Sequence, residues 1–574
     1  MAAAAAKVTL TLEDEVALAK AEILAGDGAA AITRLSALIE ASGFSPVLHY
    51  WLSAAHGAAG DKEKQRETLR TAQAYHGLQV IKDGGGDLIR FQQDPAYAAL
   101  VADTFYANKM VACAGLAYGR AATQPDATAK LMISYGLSLQ HQGLVDDAAA
   151  VFGVIAETFP VTAIHEFLLT CRIYAEGGVA RHALEARRWA ARYAPTLGGE
   201  SLGRESLTFS NRPLAGRPLR IGYVAPSFSG AKLRAFILPV LENHDPAAVE
   251  VYLYCADRAA DADLPAAKVQ SIGHLSDANT AALIKRDQID VLVDLGGHAA
   301  GGRLAMFALK PAPVQVSWLS QVHTTGLEAM DYALHCESLE SSEQAELFTE
   351  TIWAIGAVAA PYRPNPSLLP TATPALRNGY VTFGSFNNPC QLGDQTVKAW
   401  AGVLNANPGS KLILRYEYFI DPVLQNATCA RFAAFGADPD QLDFRWGADV
   451  ARDHADVDLA LDPSPCPGVA ATWEALAHGV PVLSLRGEDF HARMGVACLA
   501  PLGLEDLLAD SWDEYVRLSH ELTMDFTALD ALRRRVSKSF DASPARDEAG
   551  FTRDLEAAFG EMFEAWREAA PVTQ

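Results

Sequence analysis

The chain has 574 residues, half of them hydrophobic, which is enough for several cores and predicts about three or four domains. Its 69 acidic and 47 basic side chains leave a net charge of −22, which argues against a nucleic-acid partner and against an anionic membrane surface, since both are met by basic footprints. No uncharged apolar run reaches about 18 residues, so no membrane span is expected; eight cysteines without a C-x-x-C pair predict neither zinc nor a disulfide framework and suit a reducing, cytoplasmic location.

The N-terminus, MAAAAAKVTLTLEDE, lacks the apolar core of a secretory signal, and residues 1–14 are expected to be a disordered tail. Residues 15–205 read as a helical-repeat domain. Pro125, Pro160 and Pro195 recur at an interval of 35, and Gly143 and Gly178 keep the same step. Within the clearest unit, Gly136, Gly143, Ala148 and Phe152 fall where a tetratricopeptide repeat has a small residue, a turn glycine, a second small residue and an aromatic. Small residues let paired helices approach, and proline ends the second helix because it lacks an N–H. One pair cannot bury its apolar face, so pairs must stack. Residues from about 75 to 120 fit the template poorly, and a plain helical bundle is the alternative. A repeat arm suits a protein acceptor; it also serves as a dimerisation surface, so a homodimer is a further expectation.

Beyond residue 218 the pattern changes to strands alternating with helices. LRIGYVA, VEVYLYC, IDVLVDL and VQVSWL read as buried strands of a first lobe, residues 216–365. A proline-rich linker, APYRPNPSLLPTATP, follows. YVTFGSF, KLILRY, LDFRW, DLALD and PVLSL then mark a second lobe, residues 376–574, which ends in a long amphipathic helix. Such alternation predicts parallel sheets covered on both faces, with ligands beyond the carboxyl ends of the strands.

Several segments carry candidate chemistry. In DPSPCPGVAATWEALAHG a strand end, a small-residue loop and a helix start would aim free N–H groups of Gly468, Val469, Ala470, Ala471 and Thr472 at an anion, with Glu474 one turn on facing a ribose. An ordinary strand-to-helix loop is the alternative. Ser385, Asn387 and Asn388 at a strand end offer polar groups to the cleft, or form a turn. Arg415 at a strand end suits a diphosphate, or else an interlobe salt bridge. His298 and His323 are candidates for acid or base, and Thr324 and Thr325 form a polar loop beside them. Lys232 and Arg234 are cations at the mouth of the site, or a solvated pair. Asp456 and Asp458 resemble a metal-binding aspartate pair but run into a strand, and no metal or other cofactor is expected.

Taken together, the repeats and the runs GYVAPSF, APVQVSWL, TTGLEAMDY, TFGSFNNPCQL and ALDPSPCPGVAATWEALAHGVPVLSL resemble the O-linked N-acetylglucosamine transferases and their bacterial relatives. The resemblance implies an α-solenoid before a GT-B pair of Rossmann-like lobes. It also implies metal-independent, inverting transfer from a nucleotide sugar to Ser or Thr of a protein. Four positions depart from that pattern. Ala231 stands for a histidine, Gln391 for a phosphate-binding lysine, Gly468-Val469-Ala470-Ala471-Thr472 for a threonine-rich loop, and Gln321-Val322-His323 for tyrosine-proline-glycine. Fewer phosphate contacts beside Lys232 and Arg234 favour a CMP-activated acidic sugar of the nonulosonic type, with bacterial flagellin as acceptor. UDP-N-acetylglucosamine is the alternative donor; a catalytically inactive repeat adaptor and a lipid or polysaccharide transferase are the competing classes.

Overall fold

The computed structural model describes residues 11–569 except 126, 160, 176, 195–208, 210, 212–215, 257–263, 266–267, 320–322, 340–341 and 367–369. Pro160, Pro195, Gln321, Val322 and residues 1–10 of the expected tail lie outside the described residues. Part of that tail is ordered. Thr11 caps helix Leu12–Leu24 through a reciprocal box in which the Asp14 N–H donates to Thr11 Oγ1 at 3.2 Å and the Thr11 N–H to Asp14 Oδ2 at 2.9 Å. A local capping signal inside an apparently featureless tail thus sets the first helix.

The strands, in chain order, are β1 Leu219–Val224, β2 Val249–Cys255, β3 Lys268–Ser271, β4 Val291–Asp294, β5 Val314–Ser317, β6 Tyr332–His335, β7 Thr351–Ala354, β8 Thr382–Ser385, β9 Lys411–Arg415, β10 Leu442–Arg445, β11 Leu459–Leu461, β12 Val482–Leu485 and β13 Leu508–Ala509. The chain divides into two compact units. One comprises Met1–Ala148, Thr373–Leu461 and Ser511–Leu529, the other Ala149–Ala372, Asp462–Asp510 and Asp530–Gln574.

In the first unit, helices packed on their neighbours in the chain follow one another from Leu12 onward, including Gly28–Ser42, Pro46–Ala58 and Lys62–Asp83. Gly28 lies so close to the next helix that a Cβ would come within 2.5 Å of the Ala59 nitrogen, the close approach that small residues were expected to permit. The poorly matching stretch is helical too: Pro95–Ala107 starts on proline with Asp94 as its cap, and Val111–Ala122 follows. This unit also holds parallel strands in the order β10-β9-β8-β11. Its helical and sheet portions are joined by Asp421. That buried carboxylate accepts the N–H of Ala112 at 2.7 Å and of Cys113 at 3.1 Å, capping a helix that has no side-chain cap of its own. It also accepts the N–H of Val423 at 2.9 Å.

The second unit contains a seven-stranded sheet, order β3-β2-β1-β4-β5-β6-β7. Every pairing given for it is parallel, for example Leu219 with Val249, Ile221 with Val291, and Val291 with Val314. The apolar runs that read as strands are buried along their length, since helices cover both faces. The expected linker is anchored where it is described: the Tyr362 N–H donates to the Ala545 carbonyl at 2.9 Å, and its ring stacks on Trp473 at 5.9 Å.

Candidate donor-binding site

In the second unit, two glycine-containing loops are shaped by buried aspartates at strand ends. Asp294, the last residue of β4, accepts the N–H of Gly296 at 3.1 Å and of Gly297 at 2.9 Å. Asp462 accepts the Gly468 N–H at 3.0 Å and the Ser484 hydroxyl at 3.0 Å, and the Thr472 hydroxyl also bonds to it. Burial pushes both carboxyls up to about 6, against the pull of those hydrogen bonds. Gly495 sits directly on this knot, where a Cβ would meet Ser484 Oγ at 2.0 Å.

Asp462 thereby fixes the start of helix Val469–Ala477, whose cap, Gly468, provides no side-chain hydrogen bond. Helix Ala231–Asn243 likewise begins on Gly230 without a side-chain cap. The first turns of both helices keep N–H groups without an intrahelical partner. Lys232 and Ala470, from those two turns, line the same two cavities. One, of about 350 Å³, is walled mainly by apolar groups such as Phe236, Trp318, Leu334, Trp473 and Met494. The other, of about 290 Å³, has Lys232, Arg234, Arg363, Asn365 and Glu474 on its wall. Arg363 is held by Glu548, with Nε 3.0 Å from Oε1. Two helix N-termini and three cationic side chains beside an apolar chamber are suited to an anion attached to a larger organic group.

The predicted residues of the second unit are placed differently by the fold, and the Gly468 N–H, expected to be free, is taken up by Asp462. Lys232, Arg234, Val469, Ala470 and Glu474 come together on these cavity walls. Thr472, expected to face the donor, instead braces Asp462. The other four residues of the first lobe are packing groups in this fold. The Thr324 hydroxyl donates to Glu350 Oε2 at 2.8 Å, the Thr325 N–H donates to Glu350 Oε1 at 2.7 Å, and the Thr325 hydroxyl bonds to the same carboxylate. His298 and His323 are buried, with His298 Nε2 3.0 Å from the Thr325 carbonyl and the His323 ring tilted against that of His182. Burial holds His298 at about 4 and His323 well below the ordinary range, which takes both away from the poise of a general base near neutral pH.

In the first unit, Asn387 Nδ2 donates to the Ser385 hydroxyl at 3.1 Å, while Asn387 Oδ1 is buried without a hydrogen-bond partner. Gln391 closes its own 3-10 turn, accepting the Asn388 N–H at 3.1 Å. Arg415 is paired with Asp453 at 3.0 Å and bonds to the Gly447 carbonyl, so its fork is engaged within its own lobe and not in the expected interlobe salt bridge. Asp458 accepts the N–H of Ala375 and Thr382, and Asp456 pairs with Arg445 at 2.8 Å, so both are structural. Asp294, Asp462 and Glu350 were missed. An aspartate at the end of an apolar run, followed at once by Gly-Gly or by a small-residue loop, is the signal that could have found the first two.

A helical-repeat region followed by two runs of parallel strand–helix units, β1–β7 and β8–β13, is the architecture of the GT-B glycosyltransferases. The chain matches the description "Glycosyl transferase family 41" over residues 188–356 and 366–555, and it belongs to that family. It is 31% identical over 395 residues to the Oryza sativa protein named "Probable UDP-N-acetylglucosamine--peptide N-acetylglucosaminyltransferase SPINDLY", a match covering 66% of this chain and 42% of that protein. Against the Arabidopsis thaliana protein bearing the same enzyme name with the designation SEC, identity is 27% over 372 residues, covering 60% and 37%. The chain thus spans less than half the length of these relatives. Among solved structures, a mutant of the Thermobaculum terrenum O-GlcNAc transferase is similar with a TM-score of 0.75 and 28% identity, covering 92% of this chain and all of that one.

Proposed function

We propose that this protein is an inverting, metal-independent protein O-glycosyltransferase with UDP-N-acetylglucosamine as donor. The single observation that carries this is the pair of uncapped helix N-termini at Lys232 and Ala470 in a family 41 fold. The donor assignment follows the names of the relatives, whose sequences and fold extend over most of this chain. In the reaction the acceptor hydroxyl oxygen forms a bond to the anomeric carbon as the bond to the leaving phosphate breaks, and the hydroxyl proton passes to that phosphate or to water. Backbone N–H groups of Val469, Ala470 and Ala471, with Lys232 and Arg234, stabilise the charge that develops on that phosphate. The aspartates that resemble a metal pair are already bonded to backbone and to Arg445, which favours this metal-free arrangement. The helical repeats hold the protein acceptor.

A second reading is favoured by Lys232, Arg234 and Arg363 on one cavity wall. Such a site suits a donor with one phosphate and a carboxylated sugar, the CMP-nonulosonic class, with flagellin as acceptor. Thermal stability measured with UDP, CMP and their sugars separates the two. At about 100 times its dissociation constant a ligand stabilises by roughly 2.7 kcal/mol. Stabilisation by uridine compounds, with mass added to an acceptor protein from UDP-N-acetylglucosamine, supports the first reading. Stabilisation by cytidine compounds alone replaces it with the second, and none with any nucleotide leaves a repeat adaptor.

A further inference from the structure

Helix Val179–Tyr193 packs, within the second unit, on two segments distant in sequence. Gly326 lies directly against it at φ +75°, where a Cβ would come within 2.4 Å of the Ala186 backbone. Next to that contact three imidazoles form a column. His182 and His323 have ring centroids 4.5 Å apart, and His323 and His491 4.6 Å. His298 meets His182 edge-on at 6.3 Å and Trp189 at 4.8 Å. His182, His323 and His491 are all but inaccessible to solvent, at 0%, 3% and 1% exposure.

Both ring nitrogens of His182, both of His491 and Nε2 of His323 have no hydrogen-bond partner. Buried polar groups are ordinarily satisfied, so five such atoms in one column call for a physical reason. The charges acting on the column come from other histidines: His298 and His491 act on His182, and His182, His335 and His491 act on His323. The acids on the packed elements are engaged elsewhere. Glu185 is 2.6 Å from His165, and Glu350 holds Thr324 and Thr325. On the turn that carries His491, burial and the neighbouring Glu488 push the Asp489 carboxyl up, and Arg493 donates to the Ser338 carbonyl. Arg187, on the helix, donates to the Leu347 carbonyl.

We propose that this column is an acid-operated latch, in which protonation of His182, His323 and His491 releases helix Val179–Tyr193 from the 323–327 loop and the 491–493 turn. The inference stands on packing and is independent of the glycosyl-transfer reading. Two cations cannot share a dry site with ring centroids 4.5 Å apart. Closed, the imidazoles stay neutral; opened, each regains its ordinary affinity for a proton. Below about pH 6.5 the opening constant therefore rises roughly tenfold per pH unit for each histidine exposed.

Hydrogen exchange on the full chain, corrected for intrinsic rates and compared at about pH 7.5 and pH 5.5, tests this. Segments 179–193 and 323–327 should open at least tenfold more readily at the lower pH, while β1 and β4 keep their protection. His182→Phe, which keeps an aromatic ring in the column, and His491→Leu should each reduce that pH dependence. An unchanged opening constant in the wild type overturns the latch without any variant. Equal pH dependence in the wild type and in whichever variant folds overturns it as well.

Discussion

Replacing Asp462 by Asn tests how the donor loop is held. The carboxyl is raised to about 6 from an ordinary value of 3.8. The native state therefore binds more protons than the unfolded state between those limits, and stability falls as pH rises through that window. A shift of about two units corresponds to roughly 3 kcal/mol, absent below pH 3.8 and fully in place above pH 6. Asparagine keeps an acceptor for the Gly468 N–H, and its amide N–H can donate to the Ser484 oxygen, so the geometry survives while the cost of burying charge disappears. The variant should match or exceed the wild type at pH 7.5 by up to about 3 kcal/mol, and its stability should vary less between pH 4 and 6.5. Denaturant titration followed by tryptophan fluorescence reads this, because Trp473 lies in the helix that the loop introduces. Asp462→Ala, which removes every acceptor, should be destabilised by about 2–4 kcal/mol. Parallel pH profiles for the wild type and Asp462→Asn would refute the reasoning. So would a loss of donor affinity above about tenfold with stability intact, since it would place the carboxylate on the ligand.

Lys232→Met and Arg234→Met should each weaken nucleotide-sugar binding about tenfold in calorimetric titration at low salt, with the difference shrinking as ionic strength screens the pair. Asp421→Ala strips the acceptor from three backbone N–H groups and should cost about 3 kcal/mol in urea unfolding, with the repeat helices losing protection first. Glu166 is buried near Asp277 and Asp294 and is pushed up to about 8, so it too lowers stability as pH rises, here from 4.5 to 8. Glu166→Gln should flatten that decline, which scanning at several pH values would reveal as a gap of roughly 3–5 kcal/mol at pH 8.

The long apolar strands were legible because their burial is continuous. VEVYLYC maps residue for residue onto β2, and IDVLVDL contains β4. β3, β6, β7 and β13 were not read. They have four residues or fewer, and β3 and β7 are only partly buried, so neither run length nor alternation marks them. The glycine loop at 468–472 was legible from strand, small residues and helix start. The roles of Thr324, Thr325 and Thr472 were not, because their partners, Glu350 and Asp462, are brought to them by the fold. A threonine in a polar loop reads alike whether its hydroxyl faces a ligand or a buried carboxylate.

That distinction bears on the positions where the chain departs from its family's pattern. Asp462 holds the Gly468 turn from beneath, through Gly468, Thr472 and Ser484, and Gln391 and Asn388 close their own turn. None of these bonds involves the side chains of Val469, Ala470 or Ala471, which carry the departures from a threonine-rich loop. The backbone at this helix start is therefore fixed independently of the Val469 and Ala470 side chains that line the chamber. Such an arrangement allows residues 469–471 to change in polarity and size while the helix start stays in place. Substituting Val469 and Ala470 by threonine should accordingly alter which nucleotide sugar binds while leaving unfolding midpoints within about 0.5 kcal/mol of the wild type.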